Sequence, residues 1–236
     1  MILKIKRTKY AGTREELVVL NKDNDLIKEC SLEKQEEFFE FKLNNNDEEF
    51  SLKVPKDYSK FSTITKNNNE IGKIESDATN TVISTDYCWN MAFENRTFKL
   101  YEVGFGSKGL YLVIKEAEKT IAIISSSMIV KNFQDSYELF IEDQNDSVIV
   151  ILCCIYWNLY RGTNFTLTGG IMNKTLYTTS EKLRNTMDYS FIEELSKKEN
   201  YTPSNMYKKA TFLQIVGWTM FIAFIICLAI MLIIKY

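Results

Sequence analysis

"DSVIVILCCIYWNLYRG", Asp146 to Gly162, is the stretch on which the fold turns, because from Val148 to Tyr160 only Asn158 is polar. Such a run is either given to a bilayer or enclosed by the protein's own chain. About 13 apolar residues make a helix near 20 Å long, short of a hydrocarbon core of about 30 Å. Asp146 at one end and Arg161 at the other further oppose a spanning helix. Val148, Ile149, Val150 and Ile151 are β-branched and suit a strand, yet a strand apolar on both faces needs cover on both. A helix apolar on every side needs protein all round it. The reading is a buried central helix over about 147–161, capped by Asp146 or Ser147, with Arg161 near the opposite end. Its core residues are Val148, Ile149, Ile151, Leu152, Ile155, Tyr156 and Leu159.

The enclosing layer has to come from upstream, where the signal is period two. "FEFKL" sets Phe39, Phe41 and Leu43 on one face against Glu40 and Lys42, and "FSLKV" does the same with Phe50, Leu52 and Val54. Asparagine and acidic residues between them, with Pro55 after the second run, mark a hairpin. Similar runs are "ILKIK", "ELVVLN", "LIKEC", "FKLYEV", "LYLVIK", "TIAIIS" and "SYELFIE", joined by short polar turns such as Asp23-Asn24-Asp25 and Glu116 to Lys119. Strands without intervening amphipathic helices predict an antiparallel sheet, and roughly nine to twelve of them would close to remove exposed edges. A closed sheet of about a dozen strands has room inside for one helix. The section 56–80, polar and rich in Ser, Thr and Asn, reads as strand interrupted by loop.

Composition narrows the chemistry. The chain has 236 residues, a net charge of -2 and no histidine, so it has no imidazole for a catalytic pair or a metal site. Without a bulk basic field, nucleic acid is not an expected partner. Cys30, Cys88, Cys153, Cys154 and Cys227 form no CxxC pair and read as small buried hydrophobes in a reducing compartment, with a Cys30–Cys88 bridge left open. "GFGSKG", Gly104 to Gly109, matches GxGxxG, but a strand rather than a helix follows and no catalytic-loop or DFG motif lies downstream; a hairpin turn is the reading. Asp47-Glu48-Glu49 and Glu142-Asp143 read as solvated turns without EF-hand spacing. Catalytic residues, cofactors and metals are all expected to be none.

After residue 162 the character changes. "GTNFTLTGG" is turn-rich, and over about 180–199 Leu183, Met187, Phe191 and Leu195 recur every four residues, predicting an amphipathic helix capped by Thr179 or Ser180 that packs on the barrel or on a membrane surface. "FLQIVGWTMFIAFIICLAIMLII", Phe212 to Ile234, then runs about 23 residues without charge, reaching roughly 34 Å as a helix. That length predicts a transmembrane anchor. Tyr207, Lys208, Lys209 and Trp218 would sit at one interface and Lys235 at the other, and the lysine bias puts the bulk of the chain on the cytoplasmic side of the cell membrane as a single-pass protein. Sequons at Asn95 and Asn173 would matter only on the other side. The organisation expected is a barrel over 1–161, a polar connector over 162–205 and an anchor over 206–236.

Many antiparallel strands followed by a wholly apolar helix resembles the tubby-like superfamily, which takes in tubby carboxyl-terminal domains, LURP-one-related proteins and phospholipid scramblases. "FKLYEVGFGSKGLYLVIKEAEKTIAII", "DSYELFIED" and "VIVILCCIYW" look in particular like bacterial tubby-like domains. The resemblance covers Met1 to Arg161 and implies a roughly twelve-stranded barrel wrapped around a hydrophobic helix. Neither the phosphoinositide pocket of tubby nor a scramblase calcium site matches residue by residue, and about 75 residues follow where the family's domain usually finishes. The function this supports is a non-enzymatic, tail-anchored membrane protein whose barrel contacts anionic lipid headgroups or a protein partner. Lipid scrambling, another lipid-directed activity, and a membrane-tethered scaffold or sensor are the alternatives.

Overall fold

The computed structural model describes residues 1–11, 14–45, 47–57, 61–77, 86–106, 109–127, 129–131, 136–162, 171–173 and 177–204. Among these residues thirteen strands precede the first α-helix. They are β1 (Ile2–Ala11), β2 (Arg14–Asn21), β3 (Leu26–Lys34), β4 (Phe38–Asn45), β5 (Glu48–Pro55), β6 (Ser62–Lys66), β7 (Asn69–Ser76), β8 (Cys88–Phe93), β9 (Arg96–Gly104), β10 (Leu110–Glu116), β11 (Lys119–Ser126), β12 (Ile129–Lys131) and β13 (Ser136–Ile141). All but β12 form one closed antiparallel barrel in chain order, sealed where β13 pairs with both β11 and β1. The short β12 instead pairs with β14 (Ile171–Asn173) in a separate ribbon. The protein is therefore mainly β, and closure removes the sheet edges that an open array of this size would expose.

Alternation along the strands decides what the barrel holds. Leu3 and Ile5 of β1, Phe41 and Leu43 of β4, and Leu112 and Ile114 of β10 all belong to one buried cluster. The same cluster contains Val148 to Trp157 and Leu159 of α1 (Ser147–Gly162). Of the central residues singled out in the sequence, Val148 is 8% exposed, Leu159 6%, and Ile149, Ile151, Leu152, Ile155 and Tyr156 are at 3% or less. Their neighbours are inward-facing strand residues, so α1 fills the barrel. Burial of each large side chain on this helix contributes about 1.5–3 kcal/mol.

In keeping with its reading as strand interrupted by loop, the section 56–80 holds two strands among its described residues, β6 and β7, turned by Asn67 (φ 49°) and Asn68 (φ 66°), residues that tolerate the left-handed region. Other local features differ from the sequence reading. Next, β8 lies outside the runs recognised by alternation, although Trp89, Met91 and Phe93 are its inward positions. Gly72 is required where β7 meets β8, because a Cβ there would sit 2.3 Å from the Ala92 carbonyl oxygen. Asp146 ends a single 3-10 turn, Gln144–Asp146, that Asp143 caps, and turns its own carboxylate towards Arg96.

The amphipathic segment 180–199 is two helices, not one. Ser180 caps α2 (Glu181–Arg184), and Asp188 starts α3 (Tyr189–Lys198) by accepting from the Ser190 and Phe191 amides. The break lets both pieces follow the curved outer wall. Phe191 and Ile192 cover Val103, Tyr111, Val113 and Ile123, while Leu195 packs with Ile2 and Phe140. Among the described residues, no helix is long and apolar enough to cross a membrane. The anchor read at 212–234, the wider segment 206–236, and Tyr207, Lys208, Lys209, Trp218 and Lys235 lie outside the described residues.

Candidate functional site

Among the described residues, chemistry-bearing side chains collect at the two mouths of the barrel and in a groove on its outer wall. At the mouth where α1 enters, Arg96 donates from Nε and NH2 to the two Glu116 carboxylate oxygens at 2.8 and 2.7 Å, and from NH1 to Asp146 Oδ1 at 2.6 Å. The hydrogen bonds to Glu116, ahead of those to Asp146, raise the Arg96 pKa, so the guanidinium stays charged. Asp146 is 5% exposed and immediately precedes α1, so the pair ties the helix start to the barrel rim.

At the opposite mouth the central feature is Glu102, 1% exposed on β9 and turned inward. The indole of Trp157 donates to its Oε2, the Tyr177 hydroxyl donates to Oε1, and Arg161 NH1 approaches Oε2 at 2.8 Å. Arg161 NH1 also donates to the Tyr177 hydroxyl at 2.8 Å, and its guanidinium lies 5.3 Å from the Tyr177 ring centre. Nearby, Tyr137 donates to Asn158 Oδ1 at 2.9 Å, accounting for the one polar residue inside the apolar run. A buried carboxylate survives only with a cation and hydrogen bonds around it, and this one has both. Arg161 thus sits at the mouth that the sequence reading gave it; Glu102 went unnoticed because it stands in "FKLYEV" as an ordinary acidic residue in a strand.

The outer groove, of about 300 Å³, runs beside β1, β13, β11 and β10. Lys4 and Lys6 enter it because they alternate with the inward Leu3 and Ile5. Ser125, Ser127, Ser136 and Ser204 supply hydroxyls. Glu138 accepts from the Tyr201 hydroxyl at 2.5 Å and from the Ser204 amide at 3.0 and 3.2 Å, which holds the chain after α3 along one side. Burial, followed by the hydrogen bond to Glu138, pushes the Tyr201 phenol up, so it stays a donor. Lys4 donates to the Lys22 carbonyl at 2.7 Å and to Asn24 Oδ1 at 3.1 Å while lying 5.1 Å from the Tyr201 ring centre. Lys6 is exposed. Two ammonium groups beside a row of hydroxyls suit an anionic, hydrogen-bonding ligand.

The remaining candidates carry less. The glycine-rich stretch forms the connection between β9 and β10, with Gly106 at φ 58° and Gly109 at φ 125°, both in the region that favours glycine; Ser107 and Lys108 within it lie outside the described residues. Glu48 and Glu49 begin β5, and Glu142 and Asp143 are exposed after β13. Among the described residues no group of three His, Cys, Asp or Glu is placed to hold a metal. Cys30, Cys88, Cys153 and Cys154 form no disulfide among the described residues, so Cys30 and Cys88 are not bridged, and Cys88 is half-buried rather than buried. Burial pushes the Cys30 thiol up to about 12, that of Cys88 to about 11, and raises that of Cys153 as well. These thiols are poor nucleophiles at neutral pH.

No family model matches the chain, and its comparison with curated proteins and with solved structures yields no match.

Proposed function

We propose that the protein is a non-enzymatic, membrane-anchored barrel module of tubby-like type that engages anionic lipid headgroups through its outer groove. The anchor is Phe212 to Ile234, whose charge-free length suits a bilayer. Unbridged thiols, with Cys30, Cys153 and Cys154 buried and Cys88 half-buried, are in keeping with a reducing compartment, which supports placing the barrel on the cytoplasmic side. The observation that carries the reading is the position of the groove. The barrel interior is filled by α1, whereas the groove carrying Lys4 and Lys6 is bordered by Tyr201 and Ser204, where the described chain runs on towards the apolar segment.

The test uses the full chain reconstituted in nanodiscs after showing that it resists alkaline extraction from membranes. Soluble short-chain phosphatidylserine and phosphatidic acid are titrated in, with phosphatidylcholine as the neutral control. The reading expects saturable binding of the anionic lipids that falls at least tenfold in Lys4→Gln/Lys6→Gln. Equal affinity for all three lipids, or binding indifferent to the two lysines, points to a tethered scaffold, and transbilayer movement of a fluorescent lipid by the full chain points to scrambling.

A further inference from the structure

The turns at the two ends of the barrel differ in charge. One end gathers the connections β2–β3, β4–β5, β6–β7, β8–β9 and β10–β11, together with the turn from β13 into α1. Its described cations are already engaged: Lys22 with Glu199, Lys66 with Glu48, Arg96 with Glu116 and Asp146, and Lys119 with Glu142. Asp23, Asp25, Asp47, Glu94, Glu118 and Asp143 stand exposed on the same rim, and no ion pair to them occurs among the described residues. They are spread round the ring rather than gathered at a metal-binding point. At the other end the described turn charges are less one-sided, with Arg14, Lys34 and Lys56 against Glu36, Glu37, Asp57, Asp77 and Asp86. The chain as a whole is only -2, so the negative excess of the first rim is offset elsewhere on the molecule.

The tether makes this polarity matter. Ser204 lies against Glu138 on the barrel wall, and eight chain steps separate it from Phe212. Eight steps span at most about 28 Å, comparable with the barrel's own height of about 20 Å for strands of this length at the usual tilt. A barrel on so short a tether cannot leave the neighbourhood of the bilayer, where an anionic surface repels acidic groups that come within a Debye length of about 8 Å.

We infer that the acidic mouth is held away from the bilayer and that the opposite mouth, bearing the β3–β4 and β9–β10 turns, is the face apposed to an anionic lipid surface. This rests on the membrane-anchored reading above, and orients it. The test attaches a fluorescent donor through a cysteine at Asn95, on the acidic rim, or at Gln35, in the β3–β4 turn, both exposed. The background is the full chain carrying Cys88→Ser and Cys227→Ser, in nanodiscs with an acceptor on the lipid headgroups. Recovery of the chain in the nanodisc fraction is scored first, so failure to anchor is distinguished from failure to orient. The Gln35 probe is expected to lie nearer the headgroups than the Asn95 probe in discs containing phosphatidylserine, by a distance approaching the barrel height. The difference should shrink at high salt, in purely neutral discs, and in Asp23→Asn/Asp47→Asn/Glu94→Gln/Glu118→Gln. Equal transfer from the two probes in anionic discs, or a nearer Asn95, overturns the inference.

Discussion

Residue-scale energetics are concentrated at the two ends of α1. Glu102, Arg161, Trp157 and Tyr177 form one buried network, and removal of either charge leaves the other without its counter-ion. Glu102→Gln is expected to cost about 3–5 kcal/mol, read as a lowered urea midpoint, with Glu102→Gln/Arg161→Met recovering part of the loss. Arg96 is 37% exposed at its side chain and contributes less, about 1 kcal/mol or below per pair. The thiols give a pH signature. Cys30 and Cys88 titrate above their ordinary value in the folded protein, so their neutral forms stabilise the fold fully below about pH 9, and that contribution is lost as the pH rises towards 11 and 12. Stability should fall across that alkaline window and fall less in Cys30→Ala/Cys88→Ala measured against its own neutral-pH value. A loss equally steep in that variant would assign the alkaline sensitivity to other groups.

Elements show which signals the sequence carries openly. Hairpins such as β4–β5 were legible because one face of each strand is apolar and the other charged, as Phe41 and Leu52 against Lys42 and Lys53 illustrate. Strand β8 was not, since "CWNMAF" has no charge to mark its outer face. The split between α2 and α3 was hidden by an unbroken four-residue apolar spacing from Leu183 to Leu195; the clue was Asp188, a residue suited to a helix start. Its carboxylate is held below the ordinary range, first by the Ser190 hydroxyl and then against desolvation by the Ser190 and Phe191 amides. The cap therefore acts above the unfolded aspartate value near 4 and is lost as pH falls below it. Asp188→Ala should cost about 1 kcal/mol of local stability, and Leu195→Ala about 2–5 kcal/mol because Leu195 is 7% exposed against Ile2 and Phe140. In both variants amide exchange over 189–198 should quicken more than exchange in the barrel strands; uniform quickening would mean that α3 opens only with the whole fold. The groove was half visible at this scale, as the alternation that turns Leu3 and Ile5 inward also turns Lys4 and Lys6 outward, but its other wall, Tyr201 to Ser204, comes from distant sequence.

On the scale of the whole molecule, period-two strands without covering helices led to a closed sheet, and the barrel's twelve strands close by pairing β13 with β1. That closure joins residues as far apart in sequence as Ile2 and Phe140, and no local pattern encodes it. What made it readable was the opposite problem, an apolar helix with nowhere else to go. If α1 is enclosed by the strands, it cannot meet water until they part, and its amides must share their opening free energy. Native-state hydrogen exchange across Val150 to Leu159, in the full chain, tests this most directly. The account predicts exchange as slow as in Leu112 and Ile124, with the same denaturant dependence. Protection of that segment that is lost well before the strands open, or that persists after they have unfolded, would contradict it.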